Sequence, residues 1–576
     1  MIKDLNLMVA GPQGSGINFT SDTFAKVMAR EGYYVFSNAE LFSTIKGEHS
    51  YFRVRVSRDV VRSYSERVDI LIPLDKSSIQ LHLREVSHDG AIISEEKVND
   101  DRAEIVPYRD ILQNVATKFN RPLSELNVMK NTVALASATK MIGLDEGKLK
   151  RVITENFATR PKIAEMNNAV VSEVYSNFNP RKRFSIERTA PAKRMLINAT
   201  QAVGMGKVEA GLRFQSYYPI TPASDESNYL ESVMGKYDFV VEQTEDEIAA
   251  INMAIAAANT GVRAATSTSG PGFSLMVEAL SYAGMTETPV VIFYYQRAGP
   301  STGMPTRHEQ GDLLYALSAG HGEFPRVVIA PGDDTEAFYD TVESFNLAER
   351  YQLPVIVLLD KAMAMSNTTV ELYDLNRVRI DRGKLILKET SNYLRYRFTD
   401  DGISPRSVPG VKGGLVTIAG DEHGEDGHIF TEDPDNRIRM MEKRMGKMER
   451  ILKEVDEEMK VKFFGKRESR RVVVSWGSAK GPILDAMQEF GDLAFLQVRM
   501  MAPFPMEEVL SYLNGKEIIA VEQNYSGQLA ELLREKTGLE VKARIVKFNG
   551  RPIAYEELVH AFSIVPDERR VVLSYA

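Results

Sequence analysis

The sequence has no cysteine among its 576 residues. That absence excludes disulfide bonds, thiol catalysis and any cysteine-ligated zinc ion or iron–sulfur cluster on this chain. The eight histidines do not supply a metal site instead. No His-Glu-x-x-His motif occurs, and His423 and His428 stand in an acidic stretch that we interpret as a solvated loop. We therefore predict that the chain has no metal site of its own.

Long apolar runs and an excess of positive charge are also missing. No run approaches the ~18 apolar residues of a membrane-spanning helix, so we predict no contact with membranes. The formal net charge of −8 argues against binding of nucleic acid, which would need a basic patch. The N-terminal residues begin a strand and lack the apolar core and cleavage site of a signal peptide, so we expect a cytoplasmic protein.

Apolar strand patterns alternate with helical patterns in three parts of the chain, which predicts an α/β fold with three domains. The predicted divisions are an α/β domain at 1–176, a polar linker at 177–194, an α/β domain at 195–370, a connecting segment at 371–470 and an α/β domain at 471–576. In the second domain, the unalternating runs VVIFYY (290–295) and PVIVLLD (354–360) indicate a parallel sheet covered on both faces. In the connecting segment, apolar residues from Ile438 to Met459 recur at steps of three and four, which predicts one charged amphipathic helix.

A glycine-rich turn, GPQGSG, follows the first strand at residues 11–16. Its spacing differs from that of the dinucleotide-binding motif, and the Lys-Ser/Thr of a P-loop does not follow. The turn either holds an anion at the N-terminus of the next helix or only connects a strand to a helix tightly. A nicotinamide-dependent dehydrogenase that uses this turn is therefore an alternative hypothesis for the function.

Acidic residues crowd the start of the helix that follows the strand FVVE (239–242). Carboxylates at that position stabilise the helix dipole whatever else they do. Glu247, however, leads into the small-residue helix IAAINMAIAAAN, where close packing would desolvate a carboxyl group and raise its pKa. Such a group suits proton transfer.

Two later stretches are rich in turn-forming residues. TSTSGPGF places Gly270, Pro271 and Gly272 directly after a strand, so that the backbone is open to a flat ligand. The stretch lacks the Gly-x-Ser-x-Gly pattern, which argues against a serine hydrolase. Arg297 and Arg307 lie in the next long loop region, and their planar guanidinium groups are candidates for binding an anionic substrate.

Four stretches, YPITPASDE, VEQTEDEIAAI, TSTSGPGFSLMVE and PSTGMPTRHEQGDL, resemble in order and spacing the α subunit of 2-oxoacid:ferredoxin oxidoreductases. The N-terminal stretch from GPQGSG to STIKGEHSYFRVRVS resembles the γ domain of that family, and VEQNYSGQLAELLR extends the resemblance into the third domain. The chain therefore resembles the fused γ–α form. This resemblance implies a γ-type domain, a thiamine diphosphate pyrimidine-binding domain and a transketolase C-terminal-like domain.

The resemblance also implies an enzyme of class EC 1.2.7. Such an enzyme converts a 2-oxoacid and coenzyme A to acyl-CoA, carbon dioxide and reduced ferredoxin, with thiamine diphosphate as cofactor. It implies a partner β subunit that carries the Mg²⁺–diphosphate motif and the cysteines of a [4Fe-4S] cluster. The sequence agrees by omission, because it has no Gly-Asp-Gly and no cysteine. The chain alone is thus expected to be inactive. Pyruvate, 2-oxoglutarate and other 2-oxoacids are all possible substrates. The assembly could contain one or two αβ units. A non-catalytic scaffold subunit is a further alternative.

Individual residues take expected roles from this resemblance. Glu247 matches the catalytic glutamate that hydrogen-bonds N1′ of the aminopyrimidine ring of thiamine diphosphate. Thr221 matches the threonine that hydrogen-bonds the 2-oxoacid, and Arg307 matches the arginine that pairs with its carboxylate. Lys46 resembles a γ-domain lysine that reaches the same pocket.

We also expect two features of the backbone near these residues. Gly270, Pro271 and Gly272 are expected to contact the cofactor. Pro219 and Pro222 flank Thr221 and stiffen the turn between a strand and a helix, because proline fixes its own φ. A stiff turn would hold the threonine hydroxyl in place before substrate arrives, which lowers the entropic cost of binding.

Overall fold

The structure, a computed structural model, describes residues 3–42, 49–187, 189–190, 192–429, 432–565 and 569–574. Lys46 lies in the stretch 43–48, outside the described residues. The chain forms two compact units. The first unit comprises residues 1–197, 365–372 and 554–556, and the second comprises residues 198–364, 373–553 and 557–576.

The secondary structure alternates along most of the chain. The strands are β1 (Asp4–Pro12), β2 (Tyr34–Glu40), β3 (His49–Ser57), β4 (Val68–Pro73), β5 (Val86–Ser94), β6 (Ala103–Ile105), β7 (Arg194–Ile197), β8 (Leu212–Tyr217), β9 (Val240–Gln243), β10 (Arg263–Ser269), β11 (Val290–Gln296), β12 (Val327–Ile329), β13 (Pro354–Asp360), β14 (Ser366–Glu371), β15 (Leu385–Ile386), β16 (Arg406–Ser407), β17 (Val461–Phe464), β18 (Arg471–Ser475), β19 (Leu493–Val498), β20 (Met500–Ala502), β21 (Glu517–Glu522), β22 (Ala543–Val546) and β23 (Arg570–Val572).

The helices lie between these strands. They are α1 (Ile17–Arg30), α2 (Lys76–His82), α3 (Tyr108–Lys118), α4 (Leu123–Leu126), α5 (Lys130–Met141), α6 (Glu146–Asn156), α7 (Pro161–Asn177), α8 (Ala199–Glu209), α9 (Ser224–Met234), α10 (Glu247–Asn259), α11 (Gly270–Met285), α12 (Leu313–Ser318), α13 (Asp334–Tyr351), α14 (Lys361–Met365), α15 (Pro434–Met445), α16 (Lys447–Glu454), α17 (Glu457–Lys460), α18 (Lys480–Ala486), α19 (Met506–Leu513), α20 (Gln528–Thr537) and α21 (Tyr555–Ile564). Among the described residues, none of these helices has both the length and the hydropathy to cross a membrane.

The first unit is built on one mixed sheet in the order β6-β5-β4-β1-β3-β2-β14-β7. Strands β1, β4, β5 and β6 are parallel, as predicted, whereas the pairs on the other side of β1 are antiparallel. Only eight residues, 41–48, separate β2 from β3. Such a connection is too short for the crossover that parallel neighbours need.

The second unit contains two larger sheets, so the predicted class of three α/β domains is confirmed. One sheet has the order β20-β12-β13-β11-β10-β8-β9, and it is parallel except for β20. The other has the order β17-β19-β18-β21-β22-β23, and it is parallel except for β17. The strands predicted at VVIFYY and PVIVLLD are β11 and β13, and both are completely buried.

The predicted single helix from Ile438 to Met459 is wrong. The segment forms α15, α16 and α17, with a division at Gly446 and a break at Val455, which leaves the helix with extended backbone and takes a buried position. Ile438 is exposed, whereas Met440 and Ile451 are completely buried. The segment thus packs on the second unit through residues that differ in part from the predicted stripe.

Candidate functional site

Four neighbouring parallel strands, β11, β10, β8 and β9, end at one edge of the sheet in the second unit. The segments that follow them carry most of the predicted site residues. Thr221 follows β8, Glu247 follows β9, Gly270–Gly272 follow β10 and Arg307 follows β11. The carboxyl edge of a parallel sheet is where ligands bind in open α/β folds, so the topology gathers these segments at a plausible binding edge.

Glu247 is the first residue of α10 and is only 5% exposed. The helix is capped by its neighbour Asp246, whose side chain accepts a hydrogen bond from the backbone N–H of Ala249 at 2.7 Å. Burial raises the pKa of Glu247, and the charge of Asp246 raises it further. Glu242 and Glu245 are exposed. The predicted desolvation of Glu247 is therefore confirmed, and burial singles it out among the nearby acids.

The carboxyl group of Glu247 lies against Gly272 in the first turn of α11. A Cβ atom at Gly272 would sit 2.7 Å from Cγ of Glu247, and closer still to Oε1 of Glu247 and Oγ1 of Thr268. Any other residue would have to displace the carboxyl group. Glycine at position 272 thus allows its backbone and the carboxyl group of Glu247 to lie side by side. This arrangement suits a flat ring with a nitrogen atom that can share a proton with the carboxyl group.

The turn that contains Thr221 is fixed by its backbone. The carbonyl oxygen of Thr221 accepts a hydrogen bond from Nη1 of Arg297 at 2.8 Å, and the N–H of Ser224 donates to the carbonyl of Ile220 at 3.0 Å. The Thr221 side chain is exposed. Arg297, which the sequence offers as a ligand for an anionic substrate, thus also braces the turn. Its role as a ligand remains a prediction, as does that of Arg307.

A second set of contacts connects this turn with the helix of Glu247. The backbone N–H and the hydroxyl of Thr244 both donate to the carbonyl of Tyr217, at 2.9 and 3.2 Å. The hydroxyl of Ser216 donates to the carbonyl of Ala250 at 2.6 Å. The last residues of β8 are thus bound directly to the start of α10.

Arg307 is buried in a loop that is held from several sides. The loop closes on itself through the hydrogen bond from the N–H of Ala298 to the carbonyl of Arg307 at 3.1 Å. The N–H of His308 donates to the carbonyl of Gly550 at 3.1 Å, and Nε2 of Gln310 donates to Asp360 at 2.8 Å. Sequence reasoning did not find Asp360 or Gly550, because both lie far from the loop in the chain.

Two further carboxyl groups near this edge also escaped sequence reasoning. Burial and, to a lesser extent, the charge of Asp312 together raise the pKa of Glu309 to about 7. Asp312 has its own pKa raised by burial, and its Oδ2 lies 3.3 Å from where a Cβ atom would stand at Gly270. Both acids belong to the quoted stretch PSTGMPTRHEQGDL, but no pattern distinguished them from solvated acids of a loop.

The glycine-rich turn at 11–16 belongs to the first unit. Gly16 has φ +93°, and a Cβ atom there would lie 3.1 Å from Cγ of Asn131 and closer to its Nδ2. The backbone conformation and the packing of Asn131 together explain why glycine stands at position 16. The requirement is therefore structural, and it needs no bound dinucleotide.

Comparison with known proteins agrees with this arrangement. The family described as "Pyruvate flavodoxin/ferredoxin oxidoreductase, thiamine diP-bdg" matches residues 205–443, and "Pyruvate ferredoxin/flavodoxin oxidoreductase" matches residues 6–177. The first match contains Thr221, Glu247, Gly272 and Arg307. A thiamine diphosphate-binding region of this family thus covers the edge of the sheet described above.

Full-length relatives share the same description. The alpha subunit of 2-oxoacid:ferredoxin oxidoreductase 1 from Sulfurisphaera tokodaii is 41% identical, with 99% of each chain covered. The corresponding subunit from Aeropyrum pernix is 37% identical, with 100% of each chain covered. The solved 2-oxoglutarate:ferredoxin oxidoreductase from Magnetococcus marinus, with 2-oxoglutarate, coenzyme A and succinyl-CoA bound, superposes with a TM-score of 0.89 at 29% identity, covering 98% of this chain and 100% of that one. By its sequence along the whole length and by its fold, this chain belongs to the 2-oxoacid:ferredoxin oxidoreductase family as an alpha subunit.

Proposed function

We propose that this chain is the large subunit of a heteromeric enzyme that oxidatively decarboxylates a 2-oxoacid. The products are acyl-CoA and carbon dioxide, and the electrons pass to ferredoxin. The observation that carries the proposal is the contact between the buried carboxyl group of Glu247 and Gly272. Membership of the family supports the reaction as a whole.

The residues at this edge fit the aminopyrimidine ring of thiamine diphosphate. When bound, that cofactor supplies the electron sink for the decarboxylation. Glu247 would hold a proton at N1′ of the ring, because burial already favours the protonated form of its carboxyl group. Gly270, Pro271 and Gly272 would contact the ring through their backbone. The Mg²⁺ ion and the [4Fe-4S] cluster would belong to a β subunit.

The substrate would be bound beside this ring. The hydroxyl of Thr221 would donate to the 2-oxoacid from a turn whose backbone Arg297 already holds. Arg307 would pair with the substrate carboxylate, for which its planar guanidinium is suited. Lys46 is proposed as a third contact from its resemblance alone. These roles do not distinguish pyruvate from 2-oxoglutarate, since both carry the same carboxylate and ketone.

The test is reconstitution of the purified chain with its β subunit and thiamine diphosphate. We expect the chain alone to contain no iron and to show no activity. The complex should reduce ferredoxin with a 2-oxoacid only when coenzyme A is present. A panel of 2-oxoacids in this assay would identify the preferred substrate.

Glu247→Gln tests the assignment of the proton-holding group. We expect kcat to fall by about 10²–10⁴-fold, the usual contribution of a positioned acid–base group. Glu242→Gln is the matched control, because Glu242 is an exposed acid on the preceding strand. Equal turnover by the Glu247→Gln and wild-type complexes would show that another residue carries the role.

A further inference from the structure

A fully buried ion pair joins two helices of the second unit and contacts side chains from three strands of the sheet that carries the site. Lys207 of α8 and Glu226 of α9 are both 0% exposed, and Nζ of Lys207 donates to Oε1 of Glu226. The lysine also donates to Gln215 at 2.6 Å and to Ser267 at 3.1 Å. Both charges are thus removed from water and compensated only by side chains of the protein.

Glu226 collects hydrogen bonds from three adjacent strands. Its Oε1 accepts from Nε2 of Gln215 in β8 at 3.1 Å and from the hydroxyl of Ser267 in β10 at 2.9 Å. Its Oε2 accepts from the hydroxyl of Tyr295 in β11 at 2.9 Å. One carboxylate therefore contacts three strands that are paired with one another through their backbones.

Each of these strands leads into a different part of the site within a few residues. Gln215 is six residues before Thr221, and Ser267 is three residues before Gly270. Tyr295 is two residues before Arg297, which binds the carbonyl of Thr221. The three contacts to Glu226 are thus made where small shifts of the strands would carry directly into the site.

Glu226 also fixes the turn of Thr221 from its other end. It stands in the first turn of α9, five residues after Thr221, and its backbone N–H donates to the carbonyl of Ala223 at 3.2 Å. The turn is therefore anchored by Arg297 on one side and by the buried carboxylate on the other. Arg297 binds the backbone carbonyl of Thr221 and not its hydroxyl, so the position of the hydroxyl follows that of the backbone.

We infer that Glu226, with Lys207, is a positioning residue for the 2-oxoacid, which acts by holding the turn of Thr221 against the ends of β8, β10 and β11. The inference rests on the proposed function. Packing alone does not account for the pair, because a buried ion pair is often no more stabilising than apolar residues of the same volume. The pair does, however, supply directed hydrogen bonds to three strands at once, which apolar side chains do not.

The experiment uses the reconstituted complex and four variants of this chain: Glu226→Gln, Lys207→Met, the double variant of both, and the control Glu287→Gln. Glu287 is an equally buried glutamate that is paired with Lys443 and Lys447. It follows the far end of α11, roughly 24 Å along that helix from Gly270. Steady-state kcat and KM for the 2-oxoacid are measured at a temperature where circular dichroism shows every variant folded. Hydrogen–deuterium exchange is followed in peptides that cover residues 217–226.

We expect Glu226→Gln to raise KM for the 2-oxoacid by about tenfold or more, because a small misplacement of a binding group is costly. Exchange at 217–226 should become faster. The double variant should regain stability relative to Lys207→Met, since no lone charge stays buried, but its KM should stay raised. Glu287→Gln should lose stability and keep KM within about twofold, as expected for a distant site.

Two results would overturn the inference. One is a KM that follows thermal stability across all four variants, which would assign the pair to folding alone. The other is a Glu226→Gln complex with unchanged KM and unchanged exchange at 217–226. If the wild-type complex itself failed to oxidise any 2-oxoacid, the proposed function would fail instead. The exchange comparison would then still decide whether Glu226 holds the turn.

Discussion

Of the buried clusters of charge in the described part of the second unit, two can be compared directly, because each is built around one completely buried glutamate that is paired with lysine. The cluster of Lys207 and Glu226 lies among parallel strands below the predicted site. The cluster of Glu287, Lys443 and Lys447 joins the far end of α11 to the helices α15 and α16 of the connecting segment. All five side chains are at least nine-tenths buried. Burial of charge alone therefore does not indicate function. The residues that surround each cluster indicate it instead.

The two clusters differ in how their charges are compensated. Glu226 has one lysine and three neutral donors, from Gln215, Ser267 and Tyr295. Glu287 carries two lysines. Although burial by itself opposes this, the charges of Lys443 and Lys447 hold the pKa of Glu287 well below its usual range. Loss of the carboxylate thus leaves one buried cation in the first cluster and two in the second.

The largest expected effect is the loss of protein stability when the carboxylate of the second cluster is removed. Glu287→Gln should lower the free energy of unfolding by about 3–5 kcal/mol, because two buried ammonium groups lose their counter-charge. Lys207→Met should lower the free energy of unfolding by less, since three neutral donors still form hydrogen bonds with Glu226. Urea unfolding of the isolated chain measures both values. A greater loss for Lys207→Met would reverse the comparison.

A smaller effect should appear in the dependence of stability on pH. Burial lowers the pKa of Lys207 to about 8, against the opposing effect of Glu226. Between pH 8 and about 10.4 the unfolded chain then holds more protons on this lysine than the folded chain does. The free energy of unfolding should therefore rise with pH across that range, by about 2 kcal/mol from pH 8 to 10.

The reference for this measurement is the double variant Lys207→Met/Glu226→Gln, which carries no charge at the pair. Its stability is subtracted from that of the wild-type chain at each pH, so that other titrating groups cancel. A difference that stays constant from pH 8 to 10 would contradict the lowered pKa. Lys447, whose pKa burial also lowers to about 8, should raise the stability of both chains over the same range, and its contribution therefore cancels in the difference.

The smallest expected effect distinguishes the clusters by function. Tyr295→Phe removes one hydroxyl donor from Glu226 and keeps the ring, so stability should fall by only about 1–2 kcal/mol. KM for the 2-oxoacid should nevertheless rise, because β11 loses its direct contact with the carboxylate. Lys443→Met is the comparison in the other cluster. We expect it to cost more stability and to leave KM unchanged.

Much of the fold follows from local patterns. The runs VVIFYY and PVIVLLD predict their strands to within one residue, because a strand buried on both faces reads as a nearly continuous apolar run. The helix from Ile438 to Met459 was predicted wrongly, since the apolar spacing continues through Val455 although the backbone is extended there.

The site, too, has features that nearby residues predict and features that depend on residues distant in the chain. The burial of Glu247 was predicted from the small-residue helix that it begins, but its carboxyl group lies against Gly272, which follows a different strand and which no local pattern connects to it. The contact of Arg297 could not be predicted, since its partner is a backbone carbonyl 76 residues away. Whether Arg297 also binds an anionic substrate remains a prediction. The roles of Thr221, Arg307, Lys46 and Gly270–Gly272 remain predictions that the proposed experiments test.

The sequence by itself determined the alternation of strands and helices, the absence of cysteine chemistry and the family resemblance, because each depends on residues that are near one another or on composition. Only the tertiary structure decided which buried charges lie below the site. Lys207 and Glu226 are ordinary members of two short helices in the sequence. Their inferred role depends on contacts with Gln215, Ser267 and Tyr295, which the folding of a parallel sheet brings to one carboxylate.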